Sequence, residues 1–166
     1  MTRSRLIVMR HATAGGGGPD HARRLTHSGI QEARRAGLRL AELEFEPDRA
    51  CCSSATRCRE TWEYIGLGLR SSPRVEFDAS LYNASARTLI DTLAGIVEGE
   101  TLLLLAHNPG VSVLTLELAR DDAANSAGLR AGFAPASMAL FEIDGSWSMP
   151  SKRKAELVRF ERPAFD

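Results

Sequence analysis

Short apolar segments alternate with amphipathic segments along most of this chain, and no other feature constrains the fold as strongly. Leu6–Met9 and Thr101–Ala106 are compact, largely apolar runs of the kind that forms buried strands. The longest amphipathic segment follows Thr26, a plausible N-cap, and is predicted to run as a helix to about Leu43. Alternating strands and helices predict an α/β fold, a three-layer α/β/α sandwich with a mostly parallel central sheet.

The remaining elements follow from the same patterns. Further strands are predicted at Ala50–Ser53, Arg74–Phe77, Ser137–Ile143 and Ala155–Phe160. Helical spacing of apolar residues predicts helices over Cys58–Leu69, from Leu89 to near Gly99, and after the turn Asn108–Gly110. A loop or broken helix is predicted at Asp121–Pro135, and a loop at Lys152–Lys154.

Length and composition exclude several classes of protein. With 166 residues, the chain fits one domain over 1–166. Twenty-one basic residues balance 21 acidic ones, which disfavours nucleic-acid binding. Three cysteines, two of them adjacent, form no disulfide framework, and no apolar run is long enough for a signal peptide or a membrane span. We therefore expect a soluble cytoplasmic protein, without a membrane or nucleic-acid partner, that is a monomer.

Histidine and arginine side chains follow three of the predicted strands. Arg10 and His11 come after the first strand, Arg57 after the second, and His107 after Thr101–Ala106. Ligands of parallel α/β sheets bind beyond the carboxyl ends of the strands, so these residues are expected around one crevice. Arginine forks match phosphate oxygens, and a neutral histidine can act as a nucleophile. The pattern favours phosphoryl transfer, although such a crevice could bind many anions.

Other interpretations of these residues are weaker. The four histidines, His11, His21, His27 and His107, match no zinc motif, so no metal is expected. Gly15–Gly18 lacks the Lys-Ser/Thr of a phosphate-binding loop, so neither a nucleotide nor another cofactor is expected. Arg57 could instead be a solvated helix residue paired with an acidic neighbour.

Three sequence blocks decide between these possibilities. Leu6–Ala12 resembles an apolar strand that ends in the signature R-H-G, with Ala12 in place of the glycine. Ser53–Thr61 is similar to the block S-x-x-x-R-x-x-x-T, and Ala106–Gly110 carries a second histidine in the form H-N-P-G. In this order the blocks resemble the histidine phosphatase (phosphoglycerate-mutase-like) superfamily over about residues 5–143, and most of all its small SixA-type phosphohistidine phosphatases. Arg23–Gly29 also resembles their R-P-L-T-x-x-G segment, with Arg24 in place of proline.

The resemblance implies a role for each matching residue. His11 would be the nucleophile that forms a covalent phosphohistidine. Arg10 and Arg57 would clamp the phosphoryl oxygens. His107 would donate to the same group and be charged or hydrogen-bonded, and Arg23 would be a contact at the rim. The implied activity is that of a metal-independent phosphatase with a phosphoglycerate-mutase-like fold.

One position departs from the wider superfamily. Mutase-like members place a glutamate, their proton donor, where this chain has Asn83. An amide cannot protonate a departing alkoxide, whereas an imidazole leaving group needs no strong acid. The substitution therefore favours phosphohistidine as substrate, unless the nearby Asp78 or Glu76 supplies the proton.

Three functions remain open from the sequence. The first is hydrolysis of phosphohistidine in a signalling protein, or of a small phosphoramidate. The second is a small-molecule phosphomonoesterase. The third is a non-catalytic module that binds a phosphate or a phosphopeptide.

Overall fold

Six strands form one sheet in the computed structural model, which describes residues 3–119, 128–145 and 155–163. The strands are β1 (Arg3–Arg10), β2 (Arg49–Ser53), β3 (Arg74–Asp78), β4 (Thr101–Ala106), β5 (Met138–Asp144) and β6 (Ala155–Glu161). Their order is β3-β2-β4-β1-β5-β6. The pairs β3–β2, β2–β4 and β4–β1 are parallel, and only β5 runs against the others. The mostly parallel sheet agrees with the prediction.

Two layers of helices cover the sheet. The helices are α1 (His27–Glu42), α2 (Thr56–Gly66), α3 (Ala86–Ala94) and α4 (Gly110–Leu118), and short 3-10 helices lie at Asp20–Ala22 and Ala79–Leu81. Apolar residues of α1 and α2 share one buried cluster with β-strand residues such as Ile7 and Leu103. Those of α3 and α4 share a second cluster with residues of the opposite sheet face, such as Leu6 and Leu104. This arrangement is the predicted α/β/α sandwich.

The register of the central strands brings three strand ends together. β4 lies between β1 and β2, and its residue Ala106 pairs with Arg10 of β1. On the other side, Leu105 of β4 pairs with Cys52 of β2. The residues that follow these strands therefore emerge side by side at one edge of the sheet.

Helix boundaries follow local sequence signals where these are strong. Thr26 caps α1 with its side chain, which accepts a hydrogen bond from the amide of Gly29, and the helix ends next to Leu43 as predicted. The prediction for α3 was wrong at its end, because the helix stops at Ala94 with Gly95 as its C-cap and does not reach Gly99. Residues 128–130 are helical and 131–135 are not, within the segment predicted as a loop or broken helix. Its part at 121–127 and the loop Lys152–Lys154 lie outside the described residues.

Close backbone contacts join α1 to α2. A Cβ atom at Gly37 of α1 would lie 2.1 Å from the carbonyl oxygen of Ile65 in α2, so only glycine permits this approach. Among the described residues, no helix is long and apolar enough to cross a membrane.

Candidate active site

Two histidines and one arginine meet at the carboxyl edge of the sheet. His11 follows β1, His107 follows β4, and Arg57 lies in the first turn of α2, which follows β2. Arg57 Nε donates to Nε2 of His11 at 3.3 Å, and Arg57 Nη2 donates to Nδ1 of His107 at 3.2 Å. The imidazole centroids lie 5.2 Å apart. Arg57 is only 3% exposed, so the interpretation as a solvated helix residue does not hold.

Hydrogen bonding fixes the tautomer of His11. Its Nδ1 lies 2.8 Å from the carbonyl oxygen of Ala12, which can only accept, so Nδ1 carries the proton. The guanidinium of Arg57 can only donate, so Nε2 of His11 presents its lone pair to it. The nitrogen that faces Arg57 is therefore the nucleophilic one.

His107 takes the opposite tautomer. Because Nδ1 accepts from Arg57, the ring proton sits on Nε2, which donates to Ser53 Oγ at 2.7 Å. The thiol of Cys58 lies 3.7 Å from the same nitrogen. The sequence led us to expect that His107 is charged or hydrogen-bonded. In the structure its hydrogen bonds are those of a neutral imidazole.

Burial and nearby arginines keep both imidazoles neutral. Burial lowers the pKa of His11 to about 4, with further lowering by the charges of Arg57, Arg10 and Arg23 and opposition from the bond to Ala12. Burial also lowers the pKa of His107 to about 3, assisted by His11 and Arg57. A neutral His11 at physiological pH has the free lone pair that nucleophilic attack requires.

Arg10 approaches the site from β1. Its Nη1 donates to the carbonyl oxygen of Phe133 at 3.0 Å. Its buried Nε has no hydrogen-bond partner among the described residues, which leaves an unpaired donor on the residue that precedes His11. Burial lowers the pKa of Arg10, and the charge of Arg57 lowers it further.

Two further side chains hold the loop after His11 in place. Thr61, the last residue of the second sequence block, accepts from the amide of Ala12 at 3.1 Å and donates to the carbonyl of Arg57 at 2.6 Å. The carboxylate of Glu32, 2% exposed, accepts from the amide of Thr13 at 2.9 Å and from its hydroxyl at 2.7 Å. Thr61 thus ties the nucleophile segment to the helix that carries Arg57.

An aspartate at the mouth of the site was missed by sequence reasoning. Arg57 Nη1 donates to the carbonyl of Asp20 at 2.8 Å, and Nη2 lies 3.3 Å from its Oδ2. Arg23, expected at the rim, donates from Nε to Oδ1 of Asp20 at 3.0 Å and from Nη1 to the carbonyl of Gly15 at 3.2 Å. The hydroxyl of Tyr82 donates to Oδ2 of Asp20. Asp20 begins a three-residue 3-10 helix that has no sequence periodicity, so only its spacing to Arg23 could have drawn attention to it.

The position of the absent glutamate lies beside Tyr82. Asn83 is exposed and has a φ of 49°, a left-handed conformation that asparagine tolerates better than most residues. Asp78 accepts from the amide of Ser80 at 2.8 Å and caps a 3-10 helix. Glu76 pairs with Arg49 at 2.8 Å, at the end of β2 away from the site. Both candidate acids therefore have structural partners elsewhere.

The three cysteines are core residues. All three are free thiols and are buried. Burial raises the pKa of Cys51 to about 11 and that of Cys58 to about 12, so neither is a thiolate nucleophile at physiological pH. Within the described ranges, no three His, Cys, Asp or Glu side chains cluster in a way that could hold a metal ion.

Sequence comparisons with known proteins identify one family. Residues 6–86 match the model of the histidine phosphatase superfamily, branch 1, a range that includes His11 and Arg57. An uncharacterized protein of Mycobacterium leprae is 33% identical over 147 residues, which cover 87% of this chain and 89% of that protein.

Solved structures extend the similarity over almost the whole chain. SixA from Nakamurella multipartitia is 28% identical with a TM-score of 0.87, and the match covers 98% of both chains. The protein histidine phosphatase SixA complexed with tungstate is 20% identical with a TM-score of 0.75 and is covered to 97%, with 96% of this chain matched. The second likeness concerns the fold alone.

Proposed function

This chain belongs to the histidine phosphatase superfamily, and we propose that it is a phosphohistidine phosphatase that works through a covalent intermediate on His11. The proposal covers one domain over residues 1–166. Arg10 and Arg57 bind the phosphoryl group, His107 borders it with the Nδ1 lone pair, and Arg23 contributes at the rim. No metal takes part, because arginine and histidine meet the phosphoryl charge.

The observation that carries the proposal is the contact between Arg57 and His11. Arg57 Nε lies 3.3 Å from the lone-pair nitrogen of His11, so a phosphoryl group bound by this guanidinium lies in front of the nucleophile. His107 borders the same place from the other side, since Arg57 also reaches its Nδ1. One guanidinium and two imidazoles around one point favour phosphoryl transfer without a metal.

The reaction has two displacements. First, the lone pair of His11 Nε2 attacks phosphorus, and the bond to the leaving group breaks with its electron pair on the departing atom. The Ala12 carbonyl accepts from Nδ1–H and stabilises the charge that the ring gains. Water then attacks phosphorus, the P–N bond returns its pair to Nε2, and the water proton passes to Nδ1 of His107 or to the phosphate.

The surroundings of Asn83 support phosphohistidine over an alkyl phosphate. An alkoxide leaving group needs a positioned acid, whereas the carboxylate of Asp78 caps a 3-10 helix at Ser80 and that of Glu76 pairs with Arg49. Imidazole leaves with much less assistance, because its pKa is near 6.5. We expect a specificity constant at least about 100-fold higher for phosphohistidine or an activated aryl phosphate than for a sugar phosphate. This factor is the rate enhancement that a general acid usually contributes.

Trapping the intermediate tests the proposal. The enzyme is mixed with labelled phosphohistidine protein or p-nitrophenyl phosphate in EDTA, quenched without acid, and mapped by mass spectrometry. We expect phosphate on His11 and nearly complete loss of turnover in His11→Ala, with the fold retained by circular dichroism. The exposed His27→Ala is the matched control and should keep full activity.

Four results would contradict the proposal. Label on a serine or cysteine would refute the nucleophile. Loss of turnover in EDTA that one divalent ion restores would refute the metal-free mechanism. Phosphate binding without steady-state release from any substrate would indicate a binding module, and equal rates on a sugar phosphate and phosphohistidine would indicate a general phosphomonoesterase.

A further inference from the structure

The carboxylate of Asp20 is held at the entrance of the site by three donors. Arg57 and Arg23 approach it at 3.3 Å and 3.0 Å, and the Tyr82 hydroxyl donates to it from the other wall. The side chain nevertheless stays 50% exposed. Of the roughly four acceptor lone pairs of a carboxylate, three are occupied, so Asp20 presents one free acceptor site to an entering substrate, across one guanidinium from the nucleophilic nitrogen of His11.

This carboxylate remains charged throughout the working pH range. The hydrogen bond from Tyr82 lowers the pKa of Asp20 to about 2, and the charges of Arg57 and Arg23 lower it further. Asp20 is therefore unable to act as a proton donor to a leaving group near neutral pH. It is suited to accept a hydrogen bond and to attract positive charge.

Aromatic rings line the same entrance. Tyr82 meets His107 edge to face, with centroids 5.5 Å apart, and meets His21 in the same way at 4.9 Å. His21 is fixed in turn by a contact of 3.0 Å between its Nε2 and Ser54 Oγ. A flat aromatic leaving group could pack against these rings, next to the Asp20 carboxylate.

We propose that Asp20 binds the leaving group, by accepting a hydrogen bond from the ring N–H on the far side of a phosphohistidine imidazole. The inference rests on the proposed function and deepens it, because it assigns the part of the site that recognises the substrate ring. A catalytic role follows, since the carboxylate stabilises the substrate ring in its protonated, cationic form.

Protonation of the far nitrogen removes the need for an acid at the bond that breaks. His11 Nε2 attacks phosphorus, and the P–N bond of the substrate breaks with its electron pair on the ring nitrogen. Because the other ring nitrogen already carries a proton, the imidazole departs neutral, and no proton has to reach the departing atom. Asp20 keeps its charge throughout, and the proton stays with the leaving imidazole.

The same charge disfavours other substrates. A carboxylate at the entrance repels leaving groups that bear carboxylate or phosphate groups of their own. Aryl phosphates carry no ring N–H and gain nothing from Asp20. Selection for a cationic heteroaromatic ring therefore follows from a single fixed anion.

The test compares two substrates in Asp20→Asn. Phosphoimidazole has the ring nitrogen that Asp20 would contact, and p-nitrophenyl phosphate lacks it. We expect the ratio of their kcat/KM values, phosphoimidazole over aryl phosphate, to fall about 10-fold to 100-fold, the value of one charge-assisted hydrogen bond. Asp91→Asn, which removes a similar exposed aspartate paired with Arg87 on α3, is the matched control and should leave the ratio unchanged.

A pH profile separates this role from a merely structural one. The charged or titratable groups that face Asp20 are Arg57 from α2, Arg23 from its own segment, Tyr82, and the nearby rings of His107 and His21. The wild type should retain phosphoimidazole turnover to a higher pH than Asp20→Asn, because the carboxylate keeps the bound ring protonated. The aryl phosphate profile should show no such difference between the two proteins.

The failure of this inference is distinct from failure of the proposed function. Asp20→Asn could lower kcat/KM for both substrates equally and leave the pH profile unchanged. In that case Asp20 only orients Arg57, and the inference is overturned. Trapped phosphate on His11 would still support the phosphatase. If no phosphate is trapped on His11 with either substrate, the proposed function itself is wrong.

Discussion

At the scale of single residues, Arg57 carries the most contacts that matter for the site. Its three nitrogens reach His11, His107 and Asp20, so one planar group sets the distance between the nucleophile and the second imidazole. A lysine ammonium at this place would keep the charge but not the fork, because it is a point charge on a flexible stem. The geometry therefore requires arginine at this position, and a basic residue of another kind does not replace it.

We expect Arg57→Lys to lower kcat/KM for an aryl phosphate about 10-fold to 100-fold, since at least one charge-assisted hydrogen bond to the phosphoryl group is lost. Arg59→Lys is the matched control on the same helix, where the side chain donates to the Ser54 carbonyl at 2.9 Å and covers Phe77. Steady-state kinetics of both variants test the expectation. Equal and small losses in the two variants would show that Arg57 contributes only charge.

The sequence predicted some of the site residues and not others, for a physical reason. Strand ends and the three blocks brought His11, Arg57 and His107 together, because parallel strands deliver their last residues to one edge. Asp20 and Tyr82 approach from short 3-10 segments whose path depends on tertiary contacts, and no periodicity marks them.

At the scale of elements, the contact between α1 and α2 depends on a missing side chain. Gly37 allows the Ile65 carbonyl to approach where a Cβ would lie 2.1 Å from its oxygen. Since α2 carries Arg57 and α1 carries Glu32, this contact also sets the spacing of two helices that support the site.

We expect Gly37→Ala to lower the free energy of unfolding by about 1–3 kcal/mol, because overpacking outweighs the gain in helix propensity. Gly66→Ala is the control at the end of α2, where a new Cβ meets no atom within 4 Å. There the better helix propensity should raise the free energy of unfolding by up to about 1 kcal/mol. Urea titration measures both, and a stable Gly37→Ala protein would mean that the helices move apart freely.

Element boundaries were predictable where a cap is explicit. Thr26 and the apolar face of α1 marked both ends of that helix, whereas apolar residues after Gly95 continued the helical spacing and extended the prediction for α3 too far. Past Gly95, Ile96 is buried in the core outside any helix, whereas Val97 is 85% exposed, so apolar residues there do not continue a helix face. Spacing alone cannot show which apolar residues the tertiary structure buries.

At the scale of the whole molecule, the two buried imidazoles link folding to pH. His11 and His107 have folded pKa values of about 4 and about 3, below the unfolded value near 6.5. Between these values the unfolded chain binds more protons than the folded one, so stability rises with pH. Their contribution is complete above about pH 6.5 and is lost as the pH falls towards the folded values.

We expect the free energy of unfolding to decrease from pH 7 towards pH 4.5, by up to about 1.4 kcal/mol per pH unit for each histidine. His11→Asn should reduce this slope, while His27→Gln, at an exposed position on α1, should leave it unchanged. Urea titrations at several pH values give the slope. A wild-type slope that His11→Asn leaves intact would place the pH dependence on other groups.

The aspartate at the entrance also affects the release of inorganic phosphate after hydrolysis. Asp20 is a tethered anion that already contacts Arg57, so inorganic phosphate has to compete with an intramolecular ligand for the same guanidinium. Because the carboxylate stays on Arg57 throughout the cycle, it offsets part of the guanidinium charge, and the product phosphate is bound less tightly. Such an enzyme should suffer little product inhibition and should keep turning over in the millimolar phosphate that would saturate an open cluster of arginines.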